Sequence, residues 1–234
     1  MDPLDPLRAA PDRAALLFDV DGTLAPIVRR PEDASVPEET RAELRRLAAR
    51  YALVACVTGR EEEVARRIVG VDGLEVVGEH GLGLDPEAAV WAERIHAFAD
   101  AAECPAERKP LSIAFHWRGR PEAEPLVRRI GEQAEGEGFR VRRGRMVIDV
   151  LPPVAADKGT AVRHLLAARP AIDRALFAGD DTTDLDAFRG LRESVLETAL
   201  CVAVATDESP PELRERADLA VEGTDALLAL LRSL

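Results

Sequence analysis

Ala15-Leu16-Leu17-Phe18 is apolar at four successive positions and stops at Asp19-Val20-Asp21-Gly22-Thr23. Such a run has no face to show water, so it predicts a short buried strand that Gly22-Thr23 breaks. The arrangement recurs at Ala175-Leu176-Phe177-Ala178, which runs into Gly179-Asp180-Asp181-Thr182-Thr183-Asp184. Strand ends that point carboxylates into a crevice are a poor way to build a core. They are a good way to hold a divalent cation beside a nucleophile.

Around these two strands the apolar period alternates. In the first third, strands at 52–57 and 74–77 alternate with helices over 38–50 and 61–69. In the last third, strands at 175–178, 201–205 and 219–221 alternate with helices over 158–168, 183–191, 210–216 and 225–231. This rhythm predicts an α/β fold, a doubly wound parallel sheet with helices on both faces. The middle departs from it. A helical stretch around 91–101 leads to a half-exposed strand at 112–117 and a helix over 124–135. A hairpin of 139–143 and 146–151, turning at Gly144, follows. The expectation is a small inserted α+β domain at 84–153, leaving through Pro152-Pro153, with a discontinuous core of 1–83 and 154–234.

Composition narrows the partners. An apolar fraction of 47% in 234 residues suits a folded chain, and the net charge of −12 argues against nucleic acid or an anionic membrane. An anionic small substrate stays open, because local arginines and a metal can overcome the global field. No apolar run reaches the length of a membrane span, and residues 1–13 are polar and proline-containing, unlike a secretory signal. Cys56, Cys104 and Cys201 are scattered and odd in number, and read as reduced packing residues. A cytoplasmic monomer is the expectation.

The acidic motifs suggest phosphoryl transfer. Asp19 could attack phosphorus and form an aspartyl phosphate, splitting hydrolysis into two steps. Asp21 could protonate the leaving oxygen and then activate water. Gly22 lets the backbone turn, and Thr23 offers a hydroxyl or amide to the phosphate. A strand-ending turn with capping aspartates has the same spacing. The second cluster at 180–184 decides against it, since two clusters at the carboxyl ends of parallel strands give oxygen ligands suited to Mg²⁺. One of Asp181 and Thr182 is expected to cap the following helix. Val57-Thr58-Gly59-Arg60 ends one strand and opens the next helix, a ready anion site. Of 31 basic residues only Lys109 and Lys158 are lysine. Where Arg is so preferred, Lys158 marks a position that needs a compact ammonium, one that neutralises phosphate and orients Asp19.

Asp19-Val20-Asp21-Gly22-Thr23, Thr58, Lys158 and Gly179-Asp180-Asp181, in that order, resemble the motifs of the haloacid dehalogenase-type phosphatase superfamily. The resemblance implies Asp19 as nucleophile, Asp21 as general acid/base, and Thr58 with Lys158 on the phosphate. It implies Mg²⁺ on Asp19, the backbone carbonyl of Asp21 and Asp180, with Asp181 and Asp184 supporting the metal set from behind. The inserted domain corresponds to the superfamily's cap. Within the superfamily the chain is most similar to trehalose-6-phosphate phosphatases. The matching stretches are 19–27, Thr58-Gly59-Arg60, Gly78-Glu79-His80-Gly81, Phe115-His116-Trp117-Arg118 and 179–188. What this implies is a sugar phosphate substrate met by Gly22, Thr23, Gly59, Arg60, Glu79 and His80, and on the cap by His116, Arg118, Arg145 and Asp149.

The chain departs from that family's pattern at four places. Asp149 stands where a Glu is usual, Leu151 where an Arg often follows, and Gly83 and Leu185 where acidic residues are usual. None falls on the hydrolytic motifs. Rival readings are therefore a phosphatase for glucosyl- or mannosyl-phosphoglycerate or sucrose phosphate, and a sugar-phosphate-binding module without turnover.

Overall fold

The structure is a computed structural model and describes residues 2–144, 146–206 and 209–234. In chain order its strands are β1 (Ala14–Phe18), β2 (Leu53–Val57), β3 (Glu75–Val77), β4 (Glu107–Arg108) and β5 (Ile113–His116). They continue with β6 (Arg140–Gly144), β7 (Val147–Leu151), β8 (Arg174–Gly179), β9 (Thr198–Ala205) and β10 (Leu219–Glu222). The chain divides into two compact units, Met1–Gly81 with Ala156–Leu234, and Leu82–Ala155.

The first unit holds a parallel sheet in the order β10-β9-β8-β1-β2-β3. Every residue of β1 and β2 is buried, as the uninterrupted apolar runs require. Leu16, Phe18, Val54, Cys56 and Leu176 face the helices Glu38–Ala48, Glu62–Val69 and Gly223–Ser233 through Leu44, Leu47, Ile68, Val69, Leu227 and Leu231. On the other side Phe177 meets Phe188 of the helix Asp184–Glu193 edge to face at 6.1 Å. Each of these large side chains contributes about 1.5–3 kcal/mol by leaving water. The expected doubly wound α/β sheet is present. No helix among the described residues is long and apolar enough to cross a membrane.

The second unit is an antiparallel sheet in the order β4-β5-β7-β6. One face packs Ile113, Phe115, Ile148 and Val150 against the helices Ala92–Ala101 and Glu124–Gly136. Several expectations shift here. The helical stretch around 91–101 is two helices, Pro86–Val90 and Ala92–Ala101, meeting at Trp91. The strand read as half-exposed is buried except at His116, with Ile113 and Phe115 covered by the helices. Gly144 does not turn the hairpin but ends β6, paired with Val147. A short helix at Asp5–Ala9, which inserts Leu7 into the core, had no apolar period to announce it.

Candidate active site

The chain leaves β1 toward β2 and β3 on one side, while β8, β9 and β10 lie on the other. The carboxyl end of β1 is therefore the place where the strand order reverses, and such points open a crevice. The register pairs Phe18 with Ala178, and the Asp19 amide donates to the Ala178 carbonyl at 2.9 Å. Two acidic segments about 160 positions apart in sequence thereby meet side by side.

Carboxylate oxygens of Asp19, Asp180 and Asp184 lie within 4.8 Å of one another. Lys158 Nζ sits 2.8 Å from Asp19 Oδ1 and donates to Asp184 Oδ1 at 2.7 Å. Its position follows from the helix Lys158–Ala167. Asp157 accepts from the Thr160 amide while the Thr160 hydroxyl accepts from the Asp157 amide, a capping box that starts the helix at Lys158. Asp184 is spoken for on both oxygens, since Oδ2 accepts from the amides of Asp180 and Asp181 at 2.9 Å each. This corrects the capping expectation. The helix Asp184–Glu193 is flanked by Thr183 without a side-chain cap, and Asp184 reaches back to bind the loop instead. The Asp181 side chain is exposed, and only its amide joins the network.

Burial raises the Asp19 carboxyl, Lys158 pulls it back and Asp184 adds to the rise, leaving it at about 7. Burial, then Asp19 and Asp184, push Asp180 up to about 9. Burial alone would depress the Lys158 ammonium, but Asp184 and Asp19 outweigh it and hold it above its ordinary value. One ammonium among three carboxylates leaves two negative charges over, the charge of a divalent cation. Hard, crowded carboxylate oxygens fit such an ion. Gly22 keeps the cluster tight. Its φ is +79°, and a Cβ there would lie 2.0 Å from Asp180 Oδ2. Thr23 is buried, and its hydroxyl donates to Asp180 Oδ1 at 3.2 Å.

Thr58 does not open a helix as expected. The next helix begins at Glu62, after an extended Glu61. Thr58 is buried and stitched into a loop pair. Its amide donates to Val77, its carbonyl accepts from the His80 amide, and its hydroxyl accepts from the Arg60 amide. Glu79 and His80 both adopt positive φ, 46° and 56°, which for residues with side chains is strained backbone. The His80 ring lies over Gly59, where a Cβ would stand 2.5 Å from Nε2. Arg60 turns its guanidinium onto Asp21, with Nε and Nη2 at 2.7 and 2.6 Å from the two carboxylate oxygens.

In the second unit, the face of the sheet opposite the helices is polar. Asp149 stands across from Ala114 on one side and Arg142 on the other, and Glu107 lies beyond Ala114 in the same row. Burial raises the Asp149 carboxyl, and Lys109, Arg142 and His116 draw it back. His116 Nε2 is 2.8 Å from Glu107 Oε2, and Arg118 is exposed. Arg142 Nη1 is buried without a hydrogen-bond partner among the described residues. Arg145 lies outside the described residues.

The family model described as trehalose-phosphatase matches residues 17–104 and 104–224. The chain belongs to this family. An uncharacterized glycosyl hydrolase of Mycobacterium tuberculosis is 33% identical over 208 residues, covering 77% of this chain and 15% of that protein. The chain thus spans a small part of that relative. A probable trehalose-phosphate phosphatase of Sinorhizobium fredii is 31% identical over 206 residues, covering 80% of this chain and 77% of its own length. The C-terminal domain of C. albicans trehalose-6-phosphate phosphatase shares the fold, with a TM-score of 0.76 at 21% identity over 99% of this chain and 96% of that one.

In this trehalose-phosphatase family member, sequence reasoning found the acidic centre and Lys158 but missed two groupings. Arg142 beside Asp149 was within reach, because the period of two along the hairpin puts them on one face. The Arg60–Asp21 pair was not, since it joins two loops through the fold alone.

Proposed function

We propose that this chain is a phosphomonoesterase that hydrolyses trehalose 6-phosphate to trehalose and phosphate. The observation that carries the proposal is Lys158 bridging Asp19 and Asp184 inside a buried carboxylate cluster at the switch point of the sheet. Asp19 attacks phosphorus, a bond forms between its carboxylate oxygen and phosphorus, and the bond to the sugar oxygen breaks. Asp21 gives the sugar oxygen its proton, then takes one from the water that cleaves the aspartyl phosphate. Lys158 orients the Asp19 carboxylate and neutralises the phosphate, and Thr58 gives the phosphate a hydroxyl hydrogen bond. Asp19, Asp180 and the Asp21 carbonyl are the groups to hold Mg²⁺, backed by Asp184. When bound, that ion offsets the charge that otherwise keeps an anionic ester away from three carboxylates. We assign sugar recognition to the segment 84–153, through His116, Arg118, Arg145 and Asp149.

One feature favours a different sugar. Leu151 is 2% exposed, so the position where the family often has Arg offers the substrate nothing polar. A panel of trehalose 6-phosphate, sucrose phosphate and glucosyl- and mannosyl-phosphoglycerate, with and without Mg²⁺, tests both readings through phosphate release. Highest kcat/KM on trehalose 6-phosphate, dependent on Mg²⁺, is the expected result. Preference for another ester moves the substrate, and no release from any ester by the wild type leaves a binding module. Asp19→Asn is expected to abolish release with the fold intact by circular dichroism.

A further inference from the structure

We propose that Arg60 is the positioning residue for Asp21 and fixes its carboxylate for proton transfer. The inference rests on Asp21 being the general acid/base. The two hydrogen bonds at 2.7 and 2.6 Å engage both carboxylate oxygens with two nitrogens of one planar group. Such a fork sets the rotamer of the carboxylate as well as its distance. The guanidinium is itself tied down, since Nη1 donates to the Pro31 carbonyl at 2.9 Å. Its backbone is held from both sides, the amide on the Thr58 hydroxyl and the carbonyl on the Glu79 amide. The pair is half-buried, with side-chain exposures of 19% and 29%.

The position to which Asp21 is held matters. The carboxylates whose oxygens converge to within 4.8 Å are those of Asp19, Asp180 and Asp184, and Asp21 is not among them. Arg60 holds the Asp21 side chain apart from that set, in one orientation. The Gly22 amide on the Ala25 carbonyl and the Ala25 amide on the Val20 carbonyl lock that turn. The carboxylate of the proton donor then has a fixed address. Arg60 is therefore read as a partner of Asp21 and not of the substrate.

Kinetics of Arg60→Ala, Arg60→Lys, Asp21→Asn and the double variants, on trehalose 6-phosphate and on p-nitrophenyl phosphate, test this. Arg60→Ala is expected to lower kcat on the sugar ester about 10–100-fold, part of the roughly 10²–10⁴ that general acid–base catalysis supplies. KM is expected to stay within about threefold, the pattern of a group that acts after binding. The loss shrinks on p-nitrophenyl phosphate, whose leaving group needs little protonation. In the Asp21→Asn background, Arg60→Ala is expected to cost nothing more. Arg60→Lys keeps the charge and loses the fork, so it shows the same defect, and it carries the cycle should the alanine variant not fold. A raised KM with unchanged kcat makes Arg60 a substrate ligand and overturns the proposal. So do losses that multiply in the double variant. If Asp21→Asn alone turns over at the wild-type rate, the acid/base reading falls and this inference with it. If Asp21→Asn is slow and the losses multiply, this inference alone fails.

Discussion

Lys158 is the only cation touching the carboxylate cluster among the described contacts, and it is 2% exposed. Two negative groups held in a dry crevice need it even before substrate arrives. Removing one partner of a buried pair typically costs about 3–5 kcal/mol, because the remaining charges stay buried without compensation. Lys158→Ala is therefore expected to lose stability of that order in cation-free buffer at neutral pH, measured by urea denaturation. Phosphate release is expected to fall about 10²–10³-fold, the usual effect of deleting one charge-stabilising group. Loss of activity with unchanged stability would show that the ammonium faces solvent. Lys158 was legible because the chain otherwise spends Arg everywhere but Lys109. The contact of the Thr23 hydroxyl with Asp180 was not legible, since nothing local to Thr23 points to it.

At the scale of elements, the site depends on two helices meeting backbone to backbone. A Cβ on Gly190 would lie 2.3 Å from the Gly159 carbonyl oxygen, so the helix Asp184–Glu193 approaches Lys158–Ala167 only because both positions lack side chains. That approach lets Lys158 reach Asp184. Gly190→Ala is expected to destabilise by about 1–3 kcal/mol through overpacking and to slow phosphate release by displacing Asp184. Gly136→Ala, where nothing lies within 4 Å of the added methyl, is the control. It is expected to be neutral or slightly stabilising. Equal melting temperatures for the two variants would dismiss the close approach. The strands of the sheet were legible because burial on both faces leaves no polar position in β1 or β2. Element starts were less so. Strand β9 begins at Thr198 rather than 201, and the helix after Thr58 waits until Glu62, because pairing with β8 and loop hydrogen bonds decide those limits.

For the molecule as a whole, the cluster ties stability to pH and to cations. Asp19 and Asp180 ionise near 3.8 when unfolded but hold their protons to about 7 and about 9 when folded. Between these limits the folded chain binds protons that the unfolded chain has released, so stability falls as pH rises. The contribution is fully present below about 3.8 and is lost as pH passes through 7 and then 9. Lys158, raised above 10.5, acts only at higher pH, and Cys56 and Cys201, pushed up to about 12 by burial, lie outside the window. The exposed pairs of Asp2 and Glu38 with arginines run in the opposite direction, but solvent screens them. The ionised carboxylates are also the ones that bind a divalent cation, and binding to the folded state alone stabilises it. The melting temperature in chelator is therefore expected to fall from pH 5 to pH 9. Added Mg²⁺ is expected to raise it far more at pH 9 than at pH 5, and Asp180→Asn to remove much of both effects. A melting temperature that climbs with pH in chelator, or a Mg²⁺ shift of equal size at both ends, is incompatible with two buried carboxylates and a half-buried one converging on one cation.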